Sequence, residues 1–132
     1  MKAISSKITS ALQVGSIIRC ADNSGAKELQ IISVRGYKGI ARTRPKAGVA
    51  DLVTCRIYRG IEKVRHQVFK AVIVRQKKEY RRADGMRVEF EDNAAVLVND
   101  KFDPIGSMIK GPVAKEVIER FKTVGKIAGI IV

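Results

Sequence analysis

Two short runs of this chain concentrate its cations. Residues 35–50 carry Arg35, Lys38, Arg42, Arg44 and Lys46 with no acid among them. Residues 75–82 carry Arg75, Lys77, Lys78, Arg81 and Arg82 against a single acid, Glu79. Cations at that density suit polyphosphate, because Arg can fork onto a phosphate or stack on a base while Lys supplies a point charge. Other chemistry is sparse. The one histidine, His66, stands among cations in Lys-Val-Arg-His-Gln-Val, which suits an exposed ring better than a general base. With no second His and no nearby Cys, the spacing assembles neither a metal site nor a nucleophile–base pair. Cys20 and Cys55 each sit in an alternating apolar run, as small buried thiols do. Glu89, Glu91 and Asp92 could gather around a cation, but Glu89 and Glu91 share a strand face beside Phe90, so a solvated face is expected. No Gly-Lys-Ser/Thr follows Gly106 or Gly111, so there is no phosphate-loop pattern. The chain reads as non-enzymatic, with no metal and no cofactor.

Composition points the same way. The 132 residues suit a single domain, 1–132. There are 26 Lys+Arg against 13 Asp+Glu, a net charge of +13, and the pI is near 10.2. A nucleic acid is the leading partner at that charge, ahead of an anionic membrane surface. Hydrophobic residues at 45% exclude a disordered basic tail. Aromatics at 5%, with no Trp, argue against rows of stacked bases and favour contact with the backbone of folded RNA. The N-terminus lacks the apolar core of a signal peptide, and apolar runs such as 127–132 fall far short of the ~20 residues that span a bilayer. A cytoplasmic protein without a membrane partner is expected. From Asp84 to Asp103 the sign reverses, with six acids and two bases. That segregation suggests two faces, one for phosphate and one for solvent or a basic protein neighbour.

Strands must position these cations. Alternation predicts a half-buried strand at 51–59, and apolar runs between turn signals predict strands at 16–21, 27–34, 67–74, 88–90 and 94–98, with a turn at Asp22-Asn23-Ser24-Gly25. Short strands separated by turn signals suggest a small closed β-barrel. The run 35–50, with three glycines and a proline, reads as a long functional loop. The run 75–82 reads as the outgoing limb of a hairpin that turns at Asp84-Gly85. Ile4, Ile8 and Leu12 in the N-terminal arm, 1–13, fit either a helical turn or an arm laid on the body. Gly111-Pro112 opens a predicted helix over 112–122, with Val113, Val117, Ile118 and Phe121 on one face and Gly125 ending it. The apolar face is expected to cover the open end of the barrel. Lys115, Glu119 and Lys122 point elsewhere and are the candidate partner contacts. A final apolar strand or extended tail, 127–132, closes the C-terminal region 111–132.

One pattern is more specific. Ala71-Val72-Ile73-Val74, Asp84-Gly85, Phe90, Asn93 and Val96-Leu97, at their spacings, resemble the signature of the universal large-subunit ribosomal protein number fourteen family. Val14-Gly15-Ser16, Cys20 to Ala26, Pro45-Lys46-Ala47-Gly48, Val74-Arg75-Gln76-Lys77 and Gly111 to Glu116 fall in family order, so the resemblance covers nearly the whole chain. The residues before Val14 and the Lys-Gly-Pro wording near 111 resemble the archaeal and eukaryotic branch. The resemblance implies a five-stranded β-barrel with a protruding hairpin and a short C-terminal helical part. It implies a ribosome-bound structural protein on large-subunit rRNA, contributing to an intersubunit bridge with small-subunit rRNA. It further implies contacts with neighbouring ribosomal proteins, and with an anti-association initiation factor at the C-terminal region.

The expected mechanism is recognition of RNA shape and backbone, since A-form RNA hides its major groove. Replacing Arg81 and Arg82 with Ala is expected to weaken RNA association and leave the fold intact. The first rival is a free small-barrel RNA-binding translation or assembly factor. The second, an architectural DNA protein, needs an apolar wedge or a dimer seam, and neither is evident in the sequence.

Overall fold

The computed structural model describes all 132 residues. A short β1 (Leu12–Gln13) leads into β2 (Ile17–Cys20) and β3 (Ala26–Val34). After a loop come β4 (Lys46–Ala47), β5 (Leu52–Gly60) and β6 (Val68–Arg75). A hairpin of β7 (Tyr80–Arg81) and β8 (Arg87–Val88) precedes β9 (Ala94–Val98). Then follow β10 (Ile109–Val113), α1 (Lys115–Arg120), α2 (Lys122–Gly125) and β11 (Ala128–Ile131).

The strands β2-β3-β5-β6-β9 close into a barrel. Neighbours run antiparallel except at the closure, where β2 and β9 are parallel and Arg19 faces Ala94. Period-2 alternation sends Ile18, Leu29, Ile31, Cys55, Ile57 and Leu97 inward. Small and large residues alternate across the β6–β9 pair: Ala71 faces Leu97 and Ile73 faces Ala95. That exchange fills a narrow interior without overpacking it. The closure is held by Asp22, which is buried. Its carboxylate accepts bonds from Cys20 Sγ and the Ser24 backbone, and from Leu97 N at 2.9 Å.

β6 and β9 are buried on both faces, and the reason lies in the C-terminal region. Val72, Val74, Val96 and Val98 point outward and pack with Val113, Val117, Phe121 and Val124. The helical segment therefore covers the side of the barrel and not its open end. The predicted single helix over 112–122 also needs correction. Residues 109–113 are a strand, with Pro112 opposite Ile130 of β11 in a parallel pair. The backbone there is already committed: Ala114 N donates to Val74 O, and Val132 N donates to Val113 O. Gly111, at φ +81°, folds this strand against the Arg75 guanidinium. Helix begins only at Lys115 and breaks at Phe121 (φ −125°, ψ 84°), whose ring packs edge-on against Phe102 at 6.0 Å. It ends at Gly125, as expected. The N-terminal segment forms an arm without helix: Ile4 and Ile8 lie on the outer core, and Leu12 pairs with Ala47.

Candidate nucleic-acid interface

Both basic segments leave the same end of the barrel. The end of β3 faces the start of β5 (Val34 opposite Val53), which faces the end of β6 (Leu52 opposite Val72). The loop following β3 and the arm following β6 therefore emerge side by side, separated only by β5. No local sequence signal could predict that; it is a consequence of strand order.

The loop closes at its root, where Arg35 N donates to Leu52 O at 3.0 Å, and turns at its tip, where Thr43 N donates to Ile40 O at 2.9 Å. Arg35, Lys38, Arg42, Arg44 and Lys46 are all exposed. None of them forms an ion pair with an acid of this chain. The Arg35 guanidinium lies over the Phe102 ring, 5.3 Å from its centroid, which fixes the root while leaving the charge at the surface. Lys46 is carried on β4, opposite Gln13.

The arm differs. Lys77, Lys78 and Arg81 are exposed and unpaired. Arg75 and Arg82 are not available in the same way. Arg75 is 7% exposed. Its Nε and Nη2 grip both carboxylate oxygens of Asp92 at 2.8 and 3.2 Å, and its Nη1 donates to Lys110 O and Pro112 O, each at 2.9 Å. It is the post around which β10 wraps. Arg82 Nε donates to Glu116 Oε1 at 2.8 Å, and its Nη2 donates to Val132 O at 2.7 Å. Glu116 is fully buried and also accepts the Tyr80 hydroxyl at 2.9 Å. Burial disfavours the Arg82 cation, but the bonds to Glu116 and Tyr80 outweigh it and hold its pKa above the ordinary value. Burial, then Glu116, push the Tyr80 phenol up to about 12. Against the expectation that Arg81 and Arg82 serve RNA alone, the structure gives Arg82 internal partners: it ties the hairpin to Glu116 on α1 and to the Val132 carbonyl. The hairpin itself turns as predicted, with Gly85 at φ +89° and Asp84 Oδ1 accepting from Met86 N at 3.0 Å.

On the helical segment Lys115, Glu119 and Lys122 are exposed. Lys115 and Glu119, four apart on α1, share one face. The arm's Lys2 lies beside Lys122, and its pKa is lowered by that second ammonium.

The remaining chemical groups are dispersed or engaged. Burial pushes both thiols, Cys20 and Cys55, up to about 12, so neither is a nucleophile near neutrality. Glu89 and Glu91 are exposed while Asp92 is taken by Arg75, so the three acids do not converge. His66 is exposed at φ +64°. No helix is long and apolar enough to cross a membrane.

Sequence reasoning missed the residues that occupy Arg75 and Arg82. Asp92 and Glu116 lie 17 and 34 residues away from them. The one available hint was Glu116 itself, an acid bordering the apolar face of Val113 and Val117. The loop tip also went unremarked: Ile40 is 81% exposed between the cations.

The family model for ribosomal protein L14p/L23e matches residues 11–132. The chain is 52% identical to the large ribosomal subunit protein uL14 of Methanocorpusculum labreanum over 132 residues, the whole of both chains. It is 50% identical to that of Haloarcula marismortui and 51% identical to that of Halobacterium salinarum, again over the whole of both chains.

Proposed function

The chain belongs to the ribosomal protein L14p/L23e family, and we propose that it is a structural, non-catalytic constituent of the large ribosomal subunit that holds large-subunit rRNA by its phosphates. The observation that carries this reading is the set of exposed, unpaired cations at one barrel end: Arg35, Lys38, Arg42, Arg44 and Lys46 on the loop, Lys77, Lys78 and Arg81 on the arm. Such cations retain their full attraction for phosphate, because no internal acid has to be abandoned on binding. Arg75 and Arg82 act indirectly, by fixing the root and the limb of the hairpin that presents the other arm residues.

The family resemblance supports finer assignments within the same proposal. The chain contributes to a bridge with small-subunit rRNA and touches neighbouring large-subunit proteins. Its C-terminal region, with Lys115, Glu119 and Lys122 exposed, is where an anti-association initiation factor docks. The location is ribosome-bound and cytoplasmic.

If about six phosphates are neutralised, affinity for large-subunit rRNA falls with salt at a log–log slope of roughly −4 to −5. A slope near zero overturns the mechanism. Sedimentation separates a constituent from a free RNA-binding factor: the chain is expected to remain stoichiometric with large subunits through a high-salt wash.

A further inference from the structure

Ile40 has the highest exposure of any large hydrophobic side chain in the protein, at 81%. It stands at the tip of the basic loop, held there by the turn in which Thr43 N donates to its carbonyl at 2.9 Å. The Tyr37 ring folds over the backbone of Gly39, the residue before Ile40. A Cβ at position 39 would collide with the Tyr37 ring, so the ring occupies the space a side chain there would need. The tip thus exposes an aliphatic group on a segment whose neighbouring residues Lys38, Arg42 and Arg44 are cationic and exposed, with no acid on the segment. Phosphate binding explains the cations and leaves the isoleucine unexplained. Apolar area held in water at a loop tip is recovered only when something covers it.

We infer that Ile40, on the turn shaped by the Tyr37–Gly39 contact, is an apolar RNA contact that packs against an unstacked base face once the neighbouring cations have engaged the phosphates. This rests on the proposed rRNA-binding role. The neighbouring cations select the occupant. Against an uncharged apolar protein pocket they would lose water without compensation, whereas on RNA they are neutralised by phosphates flanking the contact. Base faces are the apolar surface that RNA offers, and they are open at loops, bulges and ends. Isoleucine is among the residue types that nucleic-acid-binding proteins use as wedges.

The two components separate by their salt dependence. Binding of in-vitro transcribed large-subunit rRNA is measured across a salt titration for the unaltered chain, Ile40→Ser and Gly39→Ala. Ile40→Ser is expected to weaken binding about tenfold, about 1.4 kcal/mol, at every salt concentration, with the log–log slope unchanged. Gly39→Ala, which displaces the Tyr37 ring, is expected to weaken binding in the same slope-independent way. Thermal melting of both variants should match the unaltered chain, since the site is on the surface. Neither variant should change binding to an uninterrupted RNA duplex, which has no open base face. An Ile40→Ser affinity within twofold of the unaltered chain, on an intact slope, overturns this inference alone. A flat slope in the unaltered chain overturns the proposed function and this contact with it. A photoreactive residue placed at 40 in assembled large subunits should crosslink to rRNA, and a crosslink to protein instead also overturns the inference.

Discussion

The basic loop and the basic arm carry the same number of cations, leave the same end of the barrel, and behave differently. On the loop, Arg35, Lys38, Arg42, Arg44 and Lys46 are all exposed and unpaired. On the arm, Arg75 and Arg82 are bound to Asp92 and Glu116, and only Lys77, Lys78 and Arg81 face solvent. The difference shows that a cation's role is set by what the fold places beside it. A loop that touches little of the body keeps its charges for a partner. A limb that runs along the body meets acids, and desolvation makes those ion pairs structural.

The sharpest test of this contrast is Arg75→Ala. It removes both bonds to Asp92 and leaves the carbonyls of Lys110 and Pro112 without their donor. A loss of about 3–5 kcal/mol is expected, read by denaturant unfolding. Arg82→Ala should come close behind, because it leaves Glu116 buried with only the Tyr80 hydroxyl. If either variant is as stable as the unaltered chain, the distinction between structural and free cations collapses.

The loop should respond in the opposite sense. Replacing Arg42 and Arg44 together with Ala should leave unfolding within about 0.5 kcal/mol of the unaltered chain. The same pair should make the rRNA salt slope shallower by about 1.5. Arg81→Ala is the internal control on the arm. As an exposed neighbour of Arg82, it should shift the slope by somewhat less than 1 and leave stability alone.

Alkaline pH should discriminate more gently. Tyr80, in the arm's latch, has its pKa raised from 10.0 to about 12, so the folded chain keeps a proton that the unfolded chain releases. Its contribution is complete below pH 10 and is lost as pH rises towards 12. Cys20 and Cys55 add the same sign from about 9 to about 12. Thermal melting should therefore fall over this range, and Tyr80→Phe should flatten part of the decline.

Much was legible without coordinates. Alternation located β5, where one face is buried and the pleat allows only one register, and apolar runs bounded by turn signals located β2, β3, β6 and β9. The turn at Asp84-Gly85 and the loop after Val34 were marked by glycine, proline and charge. The helix start was misread because Gly111-Pro112 has a helix-opening composition. Pairing with β11 and the bonds to Arg75 committed that backbone to an extended form instead. Ile40 was passed over because a lone isoleucine between glycine and alanine has no period, and only its exposure distinguishes it.

By itself, then, the sequence determined the barrel, the two clusters of cations and the family. Each of these depends on local pattern or on motifs spread along the chain. The tertiary structure alone decided which cations are free, where the helical segment packs, and that both clusters share one end. Those outcomes depend on residues such as Asp92 and Glu116 meeting Arg75 and Arg82 across the fold. The desolvation that commits such a pair exists only once the barrel has closed and α1 lies against it.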